Sequence, residues 1–354
     1  MAYVNLSGGF LFPFPFRVVG NPGFTNRLLD SANESVAVLC QVPSTGFVSK
    51  VGFRTSAVTT GGVVDVRIEG VATGTPSGIL YQASANALYT IRDTDDNAWL
   101  TATLGSSTLV HAGSLISVQV KMNATSAGAI NMPQLDNVFS GFYPYGARFL
   151  ANAWTLSTTI FPMALQYADG RYIPWQGLYP VSAMSNLSVT TATAVADERG
   201  VAFSLPFPAI LRGANASFDL VTNSGDLLLY DTDGATVLHR ISVSNVDEQV
   251  AGESSRFYYF QDTVPLVVAG TYRMTMVPWP GATLDITELI GSDATVMSGF
   301  EGSPWFIGTA RANSGSWTED ARVVPLFNAY LTHVDDGQSP AAGTSVVSAG
   351  VWGF

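Results

Sequence analysis

Val36, Val38, Cys40 and Val42, closed by Pro43, return 165 positions later as Val201, Phe203, Leu205 and Phe207, closed by Pro208. Both runs place apolar side chains at every second position, the period of a strand with one face buried, and proline ends both. Phe53 returns as Phe218, and Phe14-Pro15 as Tyr179-Pro180, at the same spacing. Leu109-Val110-His111-Ala112-Gly113 leads into the alternating Ile116-Ser117-Val118-Gln119-Val120. Its counterpart is Leu266-Val267-Val268-Ala269-Gly270, leading into Tyr272-Arg273-Met274-Thr275-Met276. Ser140-Gly141-Phe142 recurs as Ser298-Gly299-Phe300, and Trp154-Thr155 with Pro162 as Trp317-Thr318 with Pro325. Chance alternation does not put proline, glycine and tryptophan in one order twice. The spacing drifts, as loop insertions make it do. The unit is about 160 residues, the size of a domain and far longer than a solenoid repeat. The expected fold is all-β: two tandem, internally duplicated β-sandwich domains of jelly-roll type, at 14–175 and 176–336. An extended arm (1–13) precedes them and a tail (337–354) follows.

Elsewhere the pattern is also β. Val64-Asp65-Val66-Arg67-Ile68-Glu69 alternates strictly after Gly61-Gly62, so Asp65, Arg67 and Glu69 should form a wet face. Gly74-Thr75-Pro76-Ser77-Gly78 reads as a turn, and 123–150 as a loose excursion rich in Gly, Asn, Tyr and Pro. No stretch of the first half reads as a helix of more than two turns. Short strands broken by turn residues at close spacing suit a sandwich or jelly roll. In the arm, Pro13 and Pro15 forbid a helix, and Phe10, Phe12, Phe14 and Phe16 are too apolar for a solvated tail. The arm should pack on its own domain or on a neighbouring subunit, and should order only in the complex.

The chain is 47% hydrophobic and only 12% charged, so Ser, Thr, Asn and Gly must make most of its polar surface. Net charge is −11, and Lys50 and Lys121 are the only lysines. No basic patch can form, which argues against nucleic acid. Cys40, the single cysteine, allows no internal disulfide and no cysteine-rich zinc site, and its alternation with valines places it in the core. Met1–Asn5 does not lead into a leader-like apolar run, and no span of about 20 apolar residues occurs, so no signal peptide or membrane insertion is expected.

Catalytic motifs are not legible. His111, His239 and His333 are not spaced as helical metal ligands, and there is no HExxH, GxSxG elbow, P-loop or GxGxxG. The expected activity is therefore not enzymatic, and no cofactor is implied. Calcium is the one ion with candidate ligands, at Asp93, Asp95 and Asp96 with Asn97, and at Asp231 and Asp233. Neither stretch carries the distant glutamate of a complete loop, and Asp233-Gly234 is equally a hairpin turn. Aromatics are the richer signal. Trp154 and Trp317 recur in both halves and read as core anchors. The candidate contact surface is Phe10, Phe12, Phe14, Tyr143, Tyr145, Trp279, Trp305, Trp352 and Phe354.

Val51-Gly52-Phe53-Arg54-Thr55, Gly61-Gly62-Val63-Val64-Asp65-Val66-Arg67-Ile68-Glu69, Gly74-Thr75-Pro76-Ser77-Gly78 and Asp93-Thr94-Asp95-Asp96-Asn97-Ala98-Trp99 together resemble a pattern of β-sandwich proteins encoded by tailed bacteriophages. Such proteins are virion accessory, decoration or tail-associated components. The resemblance implies a structural role on the capsid or tail surface. Partners would be other virion proteins and copies of this chain, bound in many copies. It brings no catalytic residues. Two alternatives stand beside it: a pair of carbohydrate-binding modules gripping host surface glycans through loop aromatics, and a double jelly-roll coat protein.

Overall fold

In the computed structural model the described residues are 3–12, 17–18, 24–135, 138–139, 145–150, 153–157, 159–170, 172–175, 181–190, 197–205, 208–221, 225–243, 254–266, 270–291, 306–312, 314–320, 323–325 and 327–335. Among them there is no helix, and the strands pair antiparallel in several sheets. The all-β expectation holds.

The first half builds one sheet in the order β15 (Ala153–Ser157), β14 (Tyr145–Leu150), β4 (Ser35–Gln41), β11 (Leu115–Met122) and β7 (Gly62–Ala72). Strands β8 (Thr75–Leu80) and β9 (Asn86–Ile91) share the far edge of β7. Another sheet runs β10 (Trp99–Val110), β5 (Gly46–Arg54), β16 (Met163–Tyr167), β17 (Tyr172–Trp175). A smaller one runs β3 (Phe24–Leu29), β12 (Ala129–Leu135), β6 (Val58–Thr60), and a short ladder joins β2 (Arg17–Val18) to β13 (Val138–Phe139).

The second half has a sheet in the order β27 (Thr318–Asp320), β26 (Phe306–Arg311), β19 (Glu198–Phe203), β24 (Tyr272–Pro278), β21 (Gly225–Tyr230), β22 (Val237–Val243). Its other sheet runs β1 (Tyr3–Phe12), β29 (Phe327–Asp335), β20 (Ala209–Val221), β25 (Thr283–Gly291), β18 (Val181–Thr190). There β23 (Ser254–Leu266) also pairs with β20, and β28 (Val323–Pro325) with β25. The strand orders of the two halves run parallel. β15-β14-β4-β11-β7-β9 matches β27-β26-β19-β24-β21-β22, and β10-β5-β16-β17 matches β23-β20-β29-β1.

Alternation explains the core. Val36, Val38 and Cys40 of β4, Val64, Val66 and Ile68 of β7, and Ile116, Val118 and Val120 of β11 all turn inward and are fully buried. Val201 and Phe203 of β19 do the same in the second half, with Met274 and Met276 of β24. Burial raises the Cys40 thiol pKa well above its usual value. The facing layers meet through aromatic rings. Phe53 of β5 stands edge-on to Tyr89 of β9 at 5.7 Å, and His239 of β22 stacks on Phe260 of β23 at 4.7 Å. Phe53, Phe161, Phe203 and Phe327 are essentially solvent-free, each contributing about 2–3 kcal/mol by burial. The buried side chains of both halves form one connected cluster.

Several local expectations change. The arm is a strand: Tyr3–Phe12 pairs with β29 of the second half, from Tyr3↔Asp335 to Phe12↔Ala329. It lies on a sheet of neither expected host. The excursion at 123–150 contains β12 and β14. Ile130 and Met132 alternate inward there, and Pro133 is tolerated because β6 reaches only Ala129 and Ile130, leaving that edge unpaired. The turn expected at 74–78 is confined to Thr73 and Gly74, which adopt φ of 50° and 79°, and Thr75 already begins β8.

Candidate functional site

The side of β4, β11 and β7 away from the main core carries the most unusual chemistry in the first half. Cross-strand register aligns the side chains in rows. Trp154, Phe149, Ser35, Lys121 and Asp65 form one row, and Ala37, Gln119 and Arg67 the next. Leu39, Ser117 and Glu69 form a third. Small residues at Ser35 and Ala37 keep the middle low, and the aromatic pair Trp154–Phe149 (5.2 Å between rings) walls one side. The result is an open depression lined by Asn33, Ser35, Arg67, Glu69, Gln119, Lys121, Phe149 and Trp154, among others.

Its charges are held tightly on one side and loosely on the other. Arg67 reaches Glu69 at 3.0 Å and Asp65 at 3.5 Å, and the Gly78 N–H donates to the second Glu69 oxygen at 2.7 Å. Arg67 Nε is buried without a hydrogen-bond partner. Among the described residues, Lys121 makes no ion pair. The face expected to be wet is thus largely covered: Glu69 is 2% exposed, because β8 and the Gly78 backbone fold over it.

The equivalent face of the second half is filled. Arg311 Nε lies 2.6 Å from Glu198, and its Nη2 donates to the Tyr230 hydroxyl at 2.7 Å. The Thr275 hydroxyl donates to the other Glu198 oxygen. The Arg311 guanidinium covers the Trp317 ring at 4.4 Å, and Arg273 approaches the same ring at 5.4 Å. Trp317 Nε1 donates to the Gly234 carbonyl at 2.8 Å. Burial, reinforced by Glu198, raises the Tyr230 phenol far above its usual pKa. Trp154 and Trp317 therefore occupy corresponding outer faces. They are not anchors of the main core, and the reason is register: each lies on or beside an edge strand, on the side opposite the inward valines.

The aspartates expected as calcium ligands accept backbone N–H groups. Asp93 accepts the Gly61 N–H, Asp95 the Arg92 N–H and Asp231 the Thr232 N–H. Asp233 accepts the Ala235 and Thr236 N–H groups and the Thr236 hydroxyl, which together lower its pKa. Among the described residues no three His, Cys, Asp or Glu side chains converge on a metal position. Of the expected contact aromatics, Trp279 is 44% exposed at the β24–β25 turn, while Phe10 and Phe12 lie in β1. Tyr145 is not in a loop but opens β14 opposite Leu39. Phe14, Tyr143, Trp305, Trp352 and Phe354 lie outside the described residues. Sequence reasoning missed the grouping of Arg67, Gln119, Lys121 and Trp154. Its only local signal was the polar phase of β11, Ser117-Gln119-Lys121, whose partners lie tens of residues away.

The chain matches no family model, and comparison with curated proteins and solved structures gives no significant match.

Proposed function

We propose that this chain is a structural protein of a bacteriophage particle, a capsid decoration or tail-associated component. It acts by docking, in many copies, onto other virion proteins and onto itself. The observation that carries the reading is the path of β1. This strand leaves the half it belongs to in sequence and completes the sheet of the other, the behaviour of an assembly arm. The common strand order of the halves supports reading them as copies of one unit. Exposed apolar side chains at Phe47, Ile79, Leu88 and Tyr259, between 54% and 72% accessible, supply contact area on a surface poor in charge. Mass spectrometry of purified particles from the source phage tests it. The expected result is many copies of the chain per particle; its absence from particles would overturn the proposal.

A second reading has its own observation. The Trp154 wall, with exposed Asn33 and the Lys121 ammonium around one depression, matches how proteins hold a sugar ring: a stacking face with polar groups at its rim. A glycan array with the intact chain, repeated with Trp154→Ala, tests this reading. Binding lost in the variant supports a glycan site, and no binding by the intact chain removes it.

A further inference from the structure

The two halves leave the same edge to be filled. In the first, the free side of β16 is taken by β17, pairing Met163↔Trp175 through Gln166↔Tyr172. In the second, the free side of β29 is taken by β1, pairing Ala329↔Phe12 through Asp335↔Tyr3. Strands β16 and β29 are equivalent, because each lies on the central strand (β5 or β20) opposite β10 or β23.

The two filling strands follow one rule. Strand β17 is the segment that leads into the second half, yet it completes the first. Strand β1 is the segment that leads into the first half, yet it completes the second. Each leading segment thus completes the half it does not lead into. For β17 that half lies in the same chain. For β1 that half is reached by closing back on β29.

We infer that the β1–β29 ladder is an exchangeable joint, in which Tyr3–Phe12 of one copy completes the β29 edge of a second copy and links chains head to tail. The inference rests on the proposed multi-copy role and names its partner and its segment. The main-chain pairing is identical whether β1 comes from the same chain or another, so exchange needs no new interface. Closure within one chain is favoured by proximity, equivalent to a local concentration of order millimolar. Exchange therefore wins only where copies are crowded, as on a particle surface. The ladder is built to let go. Its register shifts between Asn5 and Phe10, across Gly8-Gly9, so it consists of two short stretches and not one continuous run. An empty β29 edge would be a bare row of backbone donors and acceptors, which gives a released chain reason to accept another β1.

Asn5 and His333 face each other across the ladder, and the only native cysteine, Cys40, is buried. Full-length Asn5→Cys and His333→Cys chains are mixed at concentrations from about 10 μM to about 1 mM and oxidised. A disulfide between the two variants forms only if β1 of one copy lies on β29 of the other. The expected result is a cross-linked heterodimer whose yield rises at least tenfold over that range and falls when excess Tyr3–Phe12 peptide is added. The Asn5→Cys/His333→Cys double variant should close within one chain at the lowest concentration. No heterodimer at the highest concentration would overturn exchange, and failure of the double variant to close would remove the ladder itself. Particle mass spectrometry separates the two ideas: abundant chain on particles with no cross-link sinks exchange alone, and cross-linking with no chain on particles sinks the virion role alone.

Discussion

The outer faces of the two large sheets share a strand order and are finished differently. In the second half, Arg311, Glu198, Tyr230, Thr275 and Trp317 satisfy one another, so the face is a second, polar core. In the first half Trp154 lies on the corresponding face, at the register position of Glu319, and Lys121 and Gln119 stand where Thr275 and Arg273 do in the other. A depression remains. Where such a face is filled by its own side chains, its residues answer to stability; where it is left open, they are available to a partner.

The largest test of that contrast is the ion pair. Arg311→Ala strands the Glu198 carboxylate, which is 3% exposed, and should cost about 3–5 kcal/mol in denaturant unfolding. Lys121→Ala on the open face should cost less than about 0.5 kcal/mol. Similar losses at the two sites would erase the distinction. The tryptophans come next. Trp317→Ala removes a ring packed on two guanidiniums and Tyr230 and should cost about 3 kcal/mol, against about half that for Trp154→Ala.

Glu288 offers a pH test on the inner side of the second half. Its side chain is buried beside Arg199 and Asp320, with Oε1 lacking a hydrogen-bond partner. Burial, and secondarily Asp320, raises its pKa to about 7 against the opposing pull of Arg199. The folded state therefore holds this proton more tightly than the unfolded chain does. The stabilisation is complete below about pH 4.5 and is lost as pH rises through 7, a swing of order 2 kcal/mol. Thermal melts from pH 4 to 8 should show it, and Glu288→Gln should flatten that part of the profile. A wild-type profile already flat there would show that the carboxyl ionises freely.

The smallest effect concerns two glycines in the loops beside these faces. Gly234 has φ of +68°, and a Cβ there would sit 3.1 Å from Arg273 and 3.2 Å from Trp317. Gly74 has φ of +79° with nothing within 4 Å. Gly74→Ala should cost about 1 kcal/mol from backbone strain alone, and Gly234→Ala about 2 kcal/mol because the filled face must also shift. Equal costs would mean that Arg273 and Trp317 yield freely.

Legibility in the sequence follows the range of the interaction. Val36, Val38 and Cys40, or Val64, Val66 and Ile68, announce a buried strand face because the period is local to a few residues. Strands β12 and β14 were not legible, since Asn131, Pro133 and their neighbours blur the alternation while Ile130 and Met132 are still buried. The candidate site was less legible still. Arg67, Gln119 and Trp154 come from three strands, and only their register makes them neighbours.

By itself, then, the sequence determined the strand-rich class, the inward face of each clear strand and the repeated order of its landmarks, all properties of periodicity and turn chemistry within short windows. Tertiary structure decided which edge β1 joins, which outer face is filled and which stays open, and that Glu288 lies buried beside Asp320. Those outcomes depend on which backbone edges and charges remain unsatisfied once distant strands have paired, and no local pattern encodes that.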